Sequence, residues 1–131
     1  MLDHLSLGTT DLSRAVAFFD ASLASLGIVR VWTDTDAVGY GYPGEEDRLA
    51  IKHRSAAMAP GAGFHLALSA RNRSEVDAFF RAALANGGTD QGPPGLRPDY
   101  GAGYYAAFVR DPDGHPIEAV YHEPGAQDGH R

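Results

Sequence analysis

The chain of 131 residues contains no cysteine. That excludes disulfides, thiolate metal sites and cysteine nucleophiles, so any metal must be held by His, Asp or Glu. It also fits a reducing compartment, and a cytoplasmic location is expected. No apolar run approaches the roughly 18–20 residues of a membrane span, so no membrane association is expected. Met1 leads straight into a patterned segment without the basic and apolar regions of a leader. Basic residues are not clustered and the net charge is −6. Nucleic acid, whose phosphates need a basic surface, is therefore not an expected partner. With 44% apolar and 21% charged residues, the composition is that of an ordinary globular domain with one sizeable core.

What the sequence does have is a repeat. HLSLGTTDLSRAVAFFDASLASLG at 4–27 and HLALSARNRSEVDAFFRAALANGG at 65–88 align without a gap, with eleven of 24 positions identical. Each copy reads as strand, turn, helix. HLSLG and HLALS alternate, which places His4 and His65 on the strand face opposite the leucines. Leu12, Val16, Phe19 and Leu23 recur at spacings of three and four, as do Val76, Phe79, Phe80, Ala83 and Leu84. Both runs predict amphipathic helices. Thr10 or Asp11 is the expected N-cap of the first helix and Ser74 that of the second. Helix packing claims the leucine face and leaves the histidine face uncovered.

Downstream, IVRVWT, AVGYGYP and RLAIKH read as strands, with a solvated hairpin tip at Glu45–Glu46–Asp47. In the second copy YYAAFVR and PIEAVYH are strands joined by the turn DPDG. Matching the two hairpins places Ile51 opposite Glu118, give or take a residue. Residues 54–63 read as a linker, 89–103 as a long Gly- and Pro-rich loop, and 125–131 as a disordered tail. The expected fold is α+β: two tandem βαβββ modules, residues 1–53 and 64–122, form curved sheets around a cavity with the helices on the outer face. Together they make one domain over 1–124. Each module covers one face of its sheet with its own helix and needs another module to enclose the second face.

The duplication, the opening DHLSLGTTDL, the mid-chain GFHLALS and the ending FVRDPDGHPIEAV together resemble the vicinal oxygen chelate superfamily, over residues 2–122. That group includes glyoxalase I, extradiol dioxygenases, fosfomycin-modifying thiol transferases and bleomycin-binding proteins. Carried over position by position, the resemblance implies metal ligation by His4, His65 and Glu118. The fourth ligand of glyoxalase I falls on Ile51, or on Lys52 if the alignment slips by one, and neither binds metal. The resemblance therefore implies a three-ligand site like that of the dioxygenases, with positions open for a small oxygen-rich substrate.

A physical argument runs beside the resemblance. A carboxylate at Glu118 on an inward sheet face is costly without a partner, and a divalent ion (Fe, Mn, Zn or Ni) between it and the two histidines would supply one. The alternative is that the histidines hydrogen-bond within a core and Glu118 pairs with an arginine such as Arg97. Strand alternation puts Tyr104 and Phe108 on the cavity side and Tyr105 towards the helix. Tyr104 can hydrogen-bond a bound oxygen. Arg97 and Tyr100, in the long loop, are candidate substrate contacts, Arg97 as a clamp for a carboxylate or phosphonate. His115, in the DPDG turn, is expected at the surface.

Two functions remain open. One is a metal-dependent enzyme with dioxygenase, lyase, isomerase or thiol-transferase chemistry, in which Glu118 is the catalytic carboxylate. The other is a non-catalytic binder of a cationic drug, which the negative charge and the tyrosines at 40, 42, 100, 104 and 105 would suit. In either case a homodimer is expected, because each module leaves a sheet face bare.

Overall fold

Asp11 opens the first helix: its backbone is extended and its side chain accepts the Arg14 amide hydrogen, so one otherwise unpaired donor is satisfied. In the second helix the cap is Asn72, which accepts from the Glu75 amide, and not Ser74, which lies inside the first turn. Glu75 reaches back to the Arg71 amide at 2.7 Å, so cap and carboxylate fix the turn from both sides.

In the computed structural model, residues 1–125 are described. The first module runs β1 (Leu5–Thr9), α1 (Leu12–Ala24), β2 (Val29–Thr33), β3 (Ala37–Gly41) and β4 (Leu49–His53). The second runs β5 (Leu66–Ser69), α2 (Arg73–Ala85), β6 (Thr89–Leu96), β7 (Tyr104–Arg110) and β8 (Pro116–His122). Two four-stranded sheets result, ordered β1-β4-β3-β2 and β5-β8-β7-β6. In each, the first strand pairs parallel with the last and the other pairings are antiparallel. The expected α+β fold of two βαβββ modules is the observed one, with each helix on one face of its sheet. The tail expected at 125–131 lies, from residue 126 onwards, outside the described residues.

One strand was not expected. TDQGPPGL at 89–96 forms β6 despite two prolines, which cannot donate to a ladder. It is tolerated because β6 is an edge strand and because its register against β7 shifts twice, between Asp90 and Gly92 and between Gly92 and Gly95. Such irregularities let the chain advance past residues that lack an amide hydrogen.

The helix-facing sides of both modules share one core. Leu7, Phe18, Phe19 and Ile51 of the first cluster with Phe79, Ala83, Val109 and Ile117 of the second. A polar clasp adds to it: Asp113, in the β7–β8 hairpin, accepts from the Thr9 hydroxyl at 2.5 Å and from Arg14 at 2.7 Å. The same hairpin holds His115, which is 2% exposed and not at the surface as expected. Its ring nitrogen lies 2.7 Å from the equally buried Asp111 carboxylate, so the turn folds inward on an internal pair rather than outward into water.

The opposite face of each sheet is uncovered. On the first sheet, Trp32 lies across β3 in a place only glycine leaves free: a Cβ at Gly39 would sit 2.1 Å from the indole Nε1. Among the described residues no helix is long and apolar enough to cross a membrane.

Candidate metal centre

Glu118 sits near the middle of β8, opposite Ala67 on β5 and Phe108 on β7. The neighbouring Ile117 and Ala119 point into the core, so alternation turns Glu118 onto the uncovered face. It is nonetheless 1% exposed. A carboxylate so deeply placed needs partners for both oxygens, and it has them. Oε1 lies 3.1 Å from His65 Nε2, and Oε2 accepts a short hydrogen bond from the Tyr104 hydroxyl.

The His65–Glu118 spacing suits a shared metal. Two ligands each about 2.1 Å from one ion and at right angles stand about 3.0 Å apart. The pair also serves as an ordinary polar contact, so the spacing fits both uses. Around it, Tyr104 and Phe108 lie on the cleft side while Tyr105 donates to Asp77 of α2 at 2.6 Å, as alternation predicted. Tyr100, on a 3-10 turn at Pro98–Tyr100, packs against Tyr104 and Phe108 with ring centroids 5.3 and 6.3 Å apart. Arg97 places its guanidinium 5.2 Å from the Phe108 ring centroid and does not pair with Glu118. His65, Glu118 and the four proposed substrate contacts thus gather on one sheet face.

His4 does not join them. It precedes β1 on the first sheet, in a cleft of about 650 Å³ lined by first-module residues that include Trp32, Glu45, Glu46, Asp47 and Lys52. The acidic hairpin tip is solvated as expected, with Glu45 and Glu46 exposed, and it also borders the histidine's cleft. Among the described residues no three metal-binding side chains converge within the chain. His4 does have a carboxylate neighbour. Its Nδ1 lies 2.7 Å from Asp3 Oδ1, and that hydrogen bond is the main cause holding the Asp3 carboxyl below its usual range. An ionised carboxylate only accepts, so the hydrogen of this bond lies on His4 Nδ1. Asp3 went unnoticed in the sequence, although a carboxylate directly before the strand-opening histidine was there to be read.

Register also corrects the matching of the two halves. Glu118 pairs with Ala67, and the repeat equivalent of Ala67 is Ser6, which pairs with Ala50. The position equivalent to Glu118 is therefore Ala50. Ile51 faces the core and is 1% exposed, whereas Ala50 and Lys52 border the cleft of His4. Tyr40 also turns away from the clefts: it is buried in the core and donates to Asp20 at 2.8 Å, and burial first, then that bond, raises its pKa.

The family model of the Glyoxalase/Bleomycin resistance protein/Dioxygenase superfamily matches residues 1–119. The chain belongs to this superfamily. This glyoxalase-superfamily protein is similar to a solved glyoxalase/bleomycin resistance protein from Albidiferax ferrireducens T118. The identity is 33%, covering 92% of this chain and 97% of that one, with a TM-score of 0.78. It shares its fold with a glyoxalase-related enzyme from Fulvimarina pelagi, at 20% identity over 98% and 96% of the two chains and a TM-score of 0.70. It also shares it with a glyoxalase/bleomycin resistance protein/dioxygenase family enzyme from Burkholderia phytofirmans PsJN, at 17% identity over 93% and 98% and a TM-score of 0.71. No functionally curated protein matches the chain. Superfamily membership supports a metal-dependent enzyme and leaves the reaction unspecified.

Proposed function

We propose that the protein is a divalent-metal-dependent enzyme acting on a small oxygen-rich molecule, with His4, His65 and Glu118 as its ligands. It would work in the cytoplasm as a homodimer in which His4 of one copy meets His65 and Glu118 of the other. The observation that carries this reading is the buried Glu118 carboxylate facing His65 Nε2 at 3.1 Å. Support comes from the Asp3–His4 pair, which stands in a separate cleft on the uncovered face of the other sheet. Two half-sites on two bare faces are what a twofold arrangement would combine.

Once bound, a divalent ion would polarise the oxygens of a substrate as a Lewis acid. The chain's own residues would do the rest. Glu118 supplies the negative charge that attracts the cation, and Tyr104 holds its second oxygen in place. Tyr100 and Phe108 wall the cleft and exclude water from one side. The drug-binder alternative loses support, because Tyr40 is packed in the core and the cleft holds the cation of Arg97.

Calorimetric titration of metal-free protein with Mn, Fe, Co, Ni and Zn should show about one ion per chain, bound tighter than micromolar. His65→Ala should weaken binding at least a hundredfold, while Tyr104→Phe, which removes the bond to Oε2, should weaken it about tenfold. Absence of micromolar binding by any of the five metals, or unchanged affinity in His65→Ala, refutes the metal reading.

A second expectation concerns glyoxalase I chemistry. The repeat equivalent of Glu118 is an alanine, so a fourth protein ligand is missing. Isomerisation of the methylglyoxal–glutathione adduct should be absent or very low. A kcat/KM on the order of 10⁴ M⁻¹s⁻¹ or above would overturn this.

A further inference from the structure

Arg97 has no carboxylate partner among the described residues, unlike Arg14, Arg30, Arg71 and Arg73, each of which holds an Asp or Glu. Its Nη2 donates to the Pro93 carbonyl in a short bond and to the Ala106 carbonyl at 3.4 Å. Its Nε is buried and has no acceptor among the described residues. Two carbonyls orient a guanidinium without neutralising it, and an unused buried N–H is costly to leave.

The position is built for this side chain. A Cβ at Gly92 would stand 3.3 Å from Arg97 Nη2 and 3.2 Å from Phe108 Cδ2, so the glycine leaves room for both. The guanidinium lines a lobe of about 400 Å³ together with His65, Tyr100 and Phe108. Those three residues also wall a neighbouring lobe of about 470 Å³ that contains Glu118. One lobe thus presents a positive charge, the other presents the acidic half-site, and aromatic rings lie along the boundary.

We infer that Arg97 receives the anionic group of the substrate, and that the substrate class is flat, conjugated or aromatic carboxylates bearing further oxygens. The carboxylate meets the guanidinium, whose planar fork suits it. The flat body lies against Phe108 and Tyr100, and the oxygenated edge reaches His65 and Glu118. This inference rests on the second-module cleft being the substrate site of the proposed enzyme.

The test uses full-length, metal-free protein, so that its failure and the failure of the metal reading are separate. Benzoate, benzamide and phenylphosphonate are titrated by calorimetry, and the Arg97 Nε–H resonance is followed by NMR. Benzoate should bind at least tenfold tighter than neutral benzamide and should shift that resonance. Arg97→Met should erase the preference and Arg97→Lys should keep part of it. The melting temperature of the metal-free Arg97→Met protein should stay within about 3 °C of the parent, which shows that the fold persists. Equal binding of benzoate and benzamide, no binding of benzoate, or a preference that survives Arg97→Met overturns the inference. Phenylphosphonate bound tenfold better than benzoate overturns the carboxylate assignment.

Discussion

Refolding a mixture of His4→Ala and Glu118→Ala chains is expected to restore metal binding that neither variant has alone. His4 and the His65–Glu118 pair occupy clefts on different sheets of one chain, and the two helices pack against each other in a common core. For His4 to reach Glu118 within the chain, that core would have to open. A second copy placed across a twofold axis avoids the rearrangement. Each variant alone then has two defective sites, and loss of a ligand should weaken binding by about a hundredfold or more. In a mixed dimer one site collects both substitutions and the other collects neither, so half of its sites recover full affinity. Sites confined to single chains would each keep one defect. Mixed dimers demonstrated by native mass spectrometry, yet without recovered binding, would refute the shared arrangement.

Phe18→Ala is expected to remove about 3–5 kcal/mol of stability, a large part of the roughly 5–15 kcal/mol available to a domain. Phe18 is 0% exposed, meets Phe19 edge-on at 4.9 Å, and packs so closely beneath Gly88 that a Cβ there would lie 2.8 Å from its ring. It therefore fills space between α1 of one module and the end of α2 in the other. Its loss should lower the melting temperature by on the order of 10 °C or more, in a single transition because the core is common to both modules. Phe108→Ala, by contrast, truncates a ring on a cleft wall and should cost much less. Two separate transitions in the parent protein, or a Phe18→Ala effect no larger than that of Phe108→Ala, would contradict the joint core.

The repeat made most of this fold legible, because similar local patterns at 4–27 and 65–88 produce equivalent strands and helices. The Asp11 cap and the opposed facing of Tyr104 and Tyr105 followed from neighbours in sequence. What escaped depended on distant partners. The strand at 89–96 contains Pro93 and Pro94, and nothing local reveals that it lies at a sheet edge with a shifted register. His115 looked exposed in a polar turn, since its burial depends on how the hairpin folds back over Asp111. Ile51 was matched with Glu118 where the ladder gives Ala50, because hairpin counting cannot see a one-residue offset. The cleft residues His65, Glu118, Tyr104 and Phe108 were legible from strand alternation, and the placement of His4 in the other module from the repeat. The packing of the two modules on one core was not, since that depends on contacts between distant residues.

The bed that Gly39 makes for Trp32 has a practical consequence. The indole is the chain's sole tryptophan and lies on the uncovered face of the first sheet, 36% exposed, rather than in the core. Its ultraviolet emission therefore reports on that face alone. Whatever comes to rest on the sheet will remove water from around the ring and shift the emission to shorter wavelength, without any attached dye.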